Sequence, residues 1–252
     1  MTSFQDREFP NALILFDADN CLTLPEKPVC EELKMLLCQL RIKVAIGFVS
    51  GSDLSVQVEH LGPTILKDFD FCFSENGLVA YKLGQLISSQ SFISWIGDEN
   101  YNELVSFILS YLAHLDLPKR RGTFIEFSNG MIKVSPIGKN STIEERIEFE
   151  RHDKEFLIRE SFIKALQAKF QSLGLSYLIS GSISFDIFPS GWDKSYALRH
   201  LENEGFDEVY FFGDKCIKCD NSWTFGDSGI IHCPVQGPED TFIKLRDIFQ
   251  GL

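Results

Sequence analysis

What this 252-residue chain lacks narrows its class first. It has no run of about 18 apolar residues, so nothing in it reads as a membrane span and no membrane is expected as a partner. The first residues, Met1 to Asn11, are polar and lack the apolar stretch of a signal peptide, so the expected location is cytoplasmic. Basic charge is in deficit: 24 Lys and Arg stand against 36 Asp and Glu, a net charge of −12. The only concentrated basic run is Lys119-Arg120-Arg121. Nucleic-acid binders need a basic footprint to displace counterions from phosphates, so no nucleic acid is expected, while a small anion in a local positive pocket is allowed. Internal repeats and low-complexity tracts are absent. The seven cysteines are odd in number in a long chain, which reads as reduced thiols and not as a disulfide framework. One cluster, Cys216 and Cys219 with His232-Cys233, has soft ligands, but neighbours on a strand point opposite ways, which makes it a poor zinc site. In excess is phenylalanine, 23 residues spread along the chain, which reads as core filling. With 44% hydrophobic and 24% charged residues, one large or two modest globular domains are expected.

The patterning predicts an α/β core. Apolar Ala12 to Phe16 ends abruptly in Asp17-Ala18-Asp19-Asn20, as buried parallel strands do. Leu33, Leu36, Leu37 and Leu40 share one helical face. A second strand, Val44 to Val49, runs into Ser50-Gly51-Ser52-Asp53, where Asp53 suits an N-cap. A third, Phe69 to Phe73, leads through the hairpin pair Asn76-Gly77 to Leu78 to Tyr81. Strand and helix alternating in this way predict a doubly wound sheet. From about residue 87 the pattern changes. A helix from Glu99 to Leu115, a hairpin of Thr123 to Phe127 and Met131 to Ser135, a helix from Asp153 to Ser172 and strands Leu175 to Ile179 and Ile183 to Phe188 predict a separate α+β module. Alternation resumes with a helix from Asp193 to Glu204, a strand from Glu208 to Phe212, a short strand from Gly229 to His232 and a helix from Glu239 to Phe249. The predicted organisation is a core of 1–86 and 193–252, interrupted by a module of 87–192.

Ligands of open parallel sheets bind outside the carboxyl ends of the strands. That edge is predicted to carry Asp17 and Asp19, Ser50 and Ser52, and Asp214. Three converging carboxylates repel one another without a cation, and hard Mg²⁺ suits an oxygen cage completed by water and a substrate phosphate. Lys194, near a helix start, is the expected positive companion. Each piece alone is ordinary turn or cap chemistry; the ordered set is what carries meaning.

That set resembles the haloacid dehalogenase superfamily of phosphotransferases, and within it the eukaryotic phosphomannomutases. The resemblance runs from about Leu13 to Phe249. It is carried by Ser74-Glu75-Asn76-Gly77-Leu78-Val79-Ala80-Tyr81, by Arg121-Gly122-Thr123-Phe124-Ile125-Glu126-Phe127 and by Val134-Ser135-Pro136-Ile137-Gly138. Ile183-Ser184-Phe185-Asp186-Ile187-Phe188-Pro189, Gly191-Trp192-Asp193-Lys194 and Phe211-Phe212-Gly213-Asp214-Lys215 extend it. It implies a haloacid dehalogenase-like Rossmannoid core with an inserted cap that closes over the sugar. Mannose 6-phosphate and mannose 1-phosphate would be interconverted, feeding GDP-mannose synthesis and protein glycosylation. Asp17 would be the nucleophile, Asp19 the general acid and base, Ser52 a hydrogen-bond donor to the transferring phosphoryl group, and Lys194 its counter-charge. The resemblance implies Mg²⁺ on Asp17, Asp19 and Asp214, a second cation near Phe225 and Asp227, and a hexose 1,6-bisphosphate activator. In the cap, Arg146 would read the non-reacting phosphate, and Ser184 and Asp186 would touch the sugar. A homodimer through the cap is implied as well.

Departures cluster in the site. The family's Asp-x-Asp-Gly-Thr reads Asp17-Ala18-Asp19-Asn20-Cys21, and an arginine after the loop proline is Glu26. Two cap arginines are Ser128 and Lys139, with Lys133 on the returning strand as a source of positive field. The metal-supporting loop reads Cys219-Asp220-Asn221, one residue short, and the later hydroxyl aligns with Ile230. Besides the mutase, these changes leave open a Mg²⁺-dependent phosphatase or mutase for another hexose phosphate, and a weakened ligand- or partner-binding relative.

Overall fold

A computed structural model describes residues 4–24, 27–213 and 229–249. The expectations for Glu26, Asp214, Cys216, Cys219, Phe225 and Asp227 lie outside the described residues. A short 3-10 turn, Phe4–Asp6, precedes β1 (Phe9–Asp17), α1 (Glu31–Lys43), β2 (Val44–Val49), α2 (Leu54–Leu61), α3 (Ile65–Asp68), β3 (Phe71–Ser74), β4 (Val79–Lys82) and β5 (Gln85–Ser89). Next come α4 (Phe92–Ile96), α5 (Asp98–His114), β6 (Ile125–Phe127), β7 (Ile132–Val134), α6 (Ile143–Phe156), α7 (Ile158–Lys169), β8 (Leu175–Ser180) and β9 (Ser184–Pro189). A 3-10 turn at Lys194–His200, β10 (Glu208–Gly213), β11 (Ile230–Pro234) and α8 (Pro238–Ile248) follow. The chain divides into two compact units, Met1–Ser89 with Asp193–Leu252, and Gln90–Trp192.

The first unit is built on a seven-stranded sheet in the order β11-β10-β1-β2-β3-β4-β5. β1 pairs in parallel with both β2 and β10, β2 with β3, and β10 with β11, while β4 and β5 are antiparallel additions at one edge. β5 carries this unit to Ser89, past the boundary at 86 read from sequence, because its exposed, polar pattern gives little strand signal. Both faces of the sheet are covered, and β1 shows how its alternation divides the core. Ile14 and Phe16 join the cluster with Leu33, Leu37 and Leu40 of α1 and Leu245 of α8. Leu13 and Leu15 join Ala197, Leu198 and Leu201 on the opposite face. α1 follows from its four leucines at i, i+3, i+4 and i+7, all buried, with Glu31 and Glu32 in its first turn and Arg41 and Lys43 in its last, as the helix dipole favours.

The second unit has an antiparallel sheet, β6-β7-β9-β8. Ile132, Val134, Phe185 and Ile187 are buried on one face, where Phe185 meets Phe162 of α7 edge-on and Phe162 stacks on Tyr111 of α5. The other face carries Glu126, Lys133 and Asp186 in one row across three strands.

Two helix expectations are corrected. The helix expected over Asp153–Ser172 is two helices, starting at Ile143. A capping box of Thr142 and Glu145 sets that start, a Thr-x-x-Glu signal in plain sight. The break falls at Leu157 (φ 51°, ψ 43°), with no glycine or proline to announce it. It is fixed by tertiary contacts. Buried Asp153 accepts from Arg159 N at 2.8 Å and from Arg159 Nε at 2.7 Å, and Arg159 Nη1 donates to the Gly181 and Ser184 carbonyls at 3.0 and 2.9 Å. The helix expected from Asp193 to Glu204 is a 3-10 turn, Lys194–His200, because it packs tightly on the turn after β3. Gly77 (φ +92°) lies so close that a Cβ there would stand 2.6 Å from Ala197 Cα, and His200 Nε2 bonds to Gly77 O at 2.8 Å.

Candidate active site at the carboxyl edge of the parallel sheet

β1 sits at the point where the sheet's connections turn from one direction to the other, with β2 on one side and β10 on the other. Such a switch point leaves a crevice beyond the strand ends. Asp17, the last residue of β1, shares the parity of Leu13 and Leu15, so it faces the side where the Lys194–His200 turn packs. Lys194 Nζ lies 2.5 Å from Asp17 Oδ2. Asp17 is 2% exposed, and a buried carboxylate of this kind is sustained by a charged partner. Asp193 caps the turn, accepting from Ser195 N at 2.9 Å, which fixes where the lysine starts. The two turns are locked by the Gly77–Ala197 contact, so the ammonium position follows from a nearly backbone-on-backbone fit.

After Asp17 the chain curls into a tight loop. Ala18 N donates to Val49 O at 2.9 Å, Asn20 N to Thr23 O at 3.0 Å, and Thr23 Oγ1 to Ala18 O at 3.4 Å. Asn20 takes φ 62°, the left-handed region asparagine tolerates best among residues with a side chain, so it can stand where relatives are expected to carry glycine. Cys21 is buried, its Sγ 3.4 Å from Thr241 Oγ1, while that hydroxyl donates to Cys21 O at 2.8 Å. The loop is thus tied to α8.

Asp19 is held from the end of β2. Ser50 Oγ donates to Asp19 Oδ2 at 3.2 Å and accepts from Ser52 N at 3.0 Å and Gln57 Nε2 at 2.6 Å. Ser52 accepts at its carbonyl from Glu75 N at 2.9 Å, joining the β2 and β3 loops. Asp53 caps α2: its Oδ1 accepts from Val56 N at 3.0 Å and Ser55 Oγ at 2.6 Å. Those bonds, the Ser55 hydroxyl first, hold its carboxyl below the usual aspartate range. Gln57 was not singled out from sequence. The available signal was a polar residue one helical turn before Leu61 on the buried face of α2.

The described edge therefore joins Asp17 to Lys194, and Asp19 to Ser50, Ser52 and Gln57. The donor chemistry fits a hard cation: carboxylate and carbonyl oxygens, with no thiol or imidazole among the residues singled out. A Cβ on Gly213 would stand 3.2 Å from Asp17 Cβ and 2.8 Å from Phe211 Cε1, so the end of β10 lies directly against Asp17. Among the described residues no group of three or more His, Cys, Asp or Glu gathers as a metal site; Asp214, the third carboxylate of the expected set, lies outside them.

In the second unit the expected substrate residues form two linked groups. Lys133 Nζ meets Asp186 Oδ1 at 2.5 Å and Ser180 Oγ at 3.0 Å, and Ser184 Oγ lies 3.2 Å from Ser180 Oγ and donates to Ser180 O at 2.8 Å. Lys139 Nζ pairs with Glu126, the neighbour of Lys133 in the sheet register. Arg146 donates through Nε to Ser141 O at 3.2 Å and through Nη2 to Lys139 O at 2.6 Å, bracing the loop that carries Lys139. Ser128 closes the hairpin between β6 and β7, its Oγ donating to Met131 O at 3.2 Å.

A model of the eukaryotic phosphomannomutase family matches residues 33–251. A phosphomannomutase of Saccharomyces cerevisiae is 54% identical over 250 residues, covering 99% of this chain and 98% of its own. One from Schizosaccharomyces pombe is 51% identical, covering 97% of each. A solved trehalose-6-phosphate phosphatase related protein, 17% identical, aligns at a TM-score of 0.52 over 94% of this chain and 96% of its own, which speaks to the fold.

Proposed function

The chain belongs to the eukaryotic phosphomannomutase family, and on that premise we propose that it interconverts mannose 6-phosphate and mannose 1-phosphate by way of an aspartyl phosphate on Asp17. The observation that carries this reading is the buried Asp17 carboxylate paired with Lys194, with Asp19 held separately two residues on. We take the first acid as the one that attacks and the second as the one that moves a proton.

In the first half-reaction an Asp17 oxygen attacks the phosphorus of a hexose 1,6-bisphosphate in line, forming an O–P bond as the sugar O–P bond breaks. The electron pair leaves on the sugar oxygen, and Asp19 gives that oxygen its proton. In the second half-reaction Asp19 takes a proton from the hydroxyl of the incoming monophosphate, whose oxygen attacks the phosphorus and frees Asp17. Lys194, already at Asp17, balances the charge on the transferring group, and Ser52 donates to one of its oxygens. Asp17, the Asp19 carbonyl and Asp214 would hold Mg²⁺, with Phe225 and Asp227 near a second cation. When bound, the metal would screen the repulsion between carboxylate and phosphate. The bisphosphate serves as activator because it loads Asp17.

The intermediate must turn end over end, so one set of groups must read the phosphate at either sugar position. We assign that task to Lys133, Lys139 and Arg146 of the 90–192 unit, and contacts with the sugar hydroxyls to Ser184 and Asp186. We further infer a homodimer through that unit, which size-exclusion chromatography with light scattering would test. No helix among the described residues is long and apolar enough to cross a membrane, and we place the protein in the cytoplasm, to be checked by cell fractionation.

The deciding experiment follows mannose 6-phosphate and free phosphate together, starting from mannose 1-phosphate with Mg²⁺ and catalytic hexose 1,6-bisphosphate. Bisphosphate-dependent isomerisation supports the mutase. Free phosphate without isomer would replace it with a phosphatase, and silence in both channels from folded protein would remove the catalytic reading.

A further inference from the structure

We propose that Gln57 and Ser50 are positioning residues that act as one unit on Asp19, fixing which of its oxygens meets the sugar. The proposal rests on the reading that Asp19 handles the proton.

Ser50 is 0% exposed and Gln57 1% exposed, so neither touches substrate or solvent. Whatever they do to the reaction passes through a neighbour. A serine hydroxyl has one proton and two acceptor sites. At Ser50 both acceptor sites are taken, one by Gln57 Nε2 at 2.6 Å and one by Ser52 N at 3.0 Å. Its single proton is therefore left for Asp19 Oδ2, 3.2 Å away. Without the amide, Ser50 Oγ loses the donor that fixes its place and polarises its proton toward Asp19.

Every bond in the chain Gln57, Ser50, Asp19 points the same way, donor to acceptor, toward the carboxyl, and such chains strengthen one another. Oδ2 is thereby committed, and Oδ1 is the oxygen left to face the substrate hydroxyl.

Gln57 has no evident folding reason to be glutamine. It lies on the buried face of α2 with Leu61, and its Oε1 is buried with no hydrogen-bond partner among the described residues. A buried, unsatisfied amide oxygen works against folding. What it provides is the donor to Ser50, reached because a helical side chain leans back over the preceding turn, toward the loop that Asp53 caps.

The test compares the unmodified chain with Ser50→Ala, Gln57→Leu and the double variant, in the mutase reaction and with acetyl phosphate as phosphoryl donor. The acetate leaving group needs no proton, so acetyl phosphate loads Asp17 without help from Asp19. Each single variant is expected to lower mutase kcat about 10- to 100-fold with KM within about threefold. The burst of acetate released as acetyl phosphate loads Asp17, at most one per site, is expected to slow at least about tenfold less. The double variant should be no slower than Ser50→Ala, since Gln57 acts only through that hydroxyl. Gln57→Leu fills a similar buried volume without the amide and should melt no lower than the unmodified chain, so it decides the matter if Ser50→Ala folds poorly. Mutase kcat held within twofold, equal losses with both donors, or additive losses in the double variant would each overturn the proposal. An unmodified chain with no mutase turnover would instead overturn the reading beneath it.

Discussion

The edge of the parallel sheet and the polar face of the antiparallel sheet handle charge in opposite ways. At the first, Asp17 is buried and its partner Lys194 arrives on a turn whose backbone is pressed against another turn. At the second, Lys139 and Glu126 pair in the open, their side chains 58% and 24% exposed, while Lys133 beside them reaches the buried Asp186. Burial makes the first arrangement stiff and intolerant, because any group removed leaves another unsatisfied. Exposure makes the second adjustable at little cost to folding. Of the two departures expected in the 90–192 unit, Lys139 is exposed and Ser128 is half-buried in its hairpin. Ser128 has taken up a local task in its own hairpin.

That contrast is easiest to break at its extremes. Asp17→Asn is expected to remove mutase turnover on the order of 10⁴-fold or more while the chain stays folded, checked by the coupled assay beside a thermal melt. Loss of fold instead would show that the carboxylate is structural. Arg159→Ala tests whether the second unit also has a stiff part away from that open pair. It leaves Asp153 buried and unpaired and should cost about 3–5 kcal/mol in urea unfolding of that unit. Lys139→Met tests the adjustable face itself. Losing one charge-assisted phosphate contact of about 1.5–3 kcal/mol should raise KM about 10- to 150-fold. Stability should move by about 1 kcal/mol or less, since the pair it breaks, Lys139 with Glu126, is the more exposed one at 58% and 24%. A large drop in stability with KM unchanged would reverse the contrast.

The smallest effect belongs to the α2 cap. Asp53→Ala should cost about 1 kcal/mol at neutral pH. Because the folded-state value of Asp53 is depressed, its stabilisation is present above the ordinary aspartate value of about 4 and is lost as pH falls through the folded value. The gap in urea midpoint between native protein and variant should therefore narrow below about pH 4.

Much of the core was legible because its signals are local. Apolar runs of five and six residues ending in aspartate or serine gave β1 and β2, four leucines gave α1, and Asp53 before an apolar stretch gave the start of α2. What stayed hidden depends on contacts distant in sequence. Leu157 breaks a helix with no glycine or proline because Arg159, held by Asp153, meets the β8–β9 turn. Lys194–His200 is a tighter turn than its sequence suggests because Gly77 presses on Ala197. The meeting of Asp17 with Lys194 as a positive companion was legible, while that of Gln57 with Ser50 was not, since a glutamine in an ordinary helix gives no sign of its partner.

The Gly77–Ala197 contact also bears on how freely this molecule can vary. The chain leaves the core after Ser89 and re-enters it at Asp193, and within a few residues of its return it docks onto Gly77. The docking partner precedes the departure point, so the seam is closed by core residues on both sides of the insertion. The contact behaves as a socket: it sets where the returning chain meets the sheet edge independently of the segment inserted between.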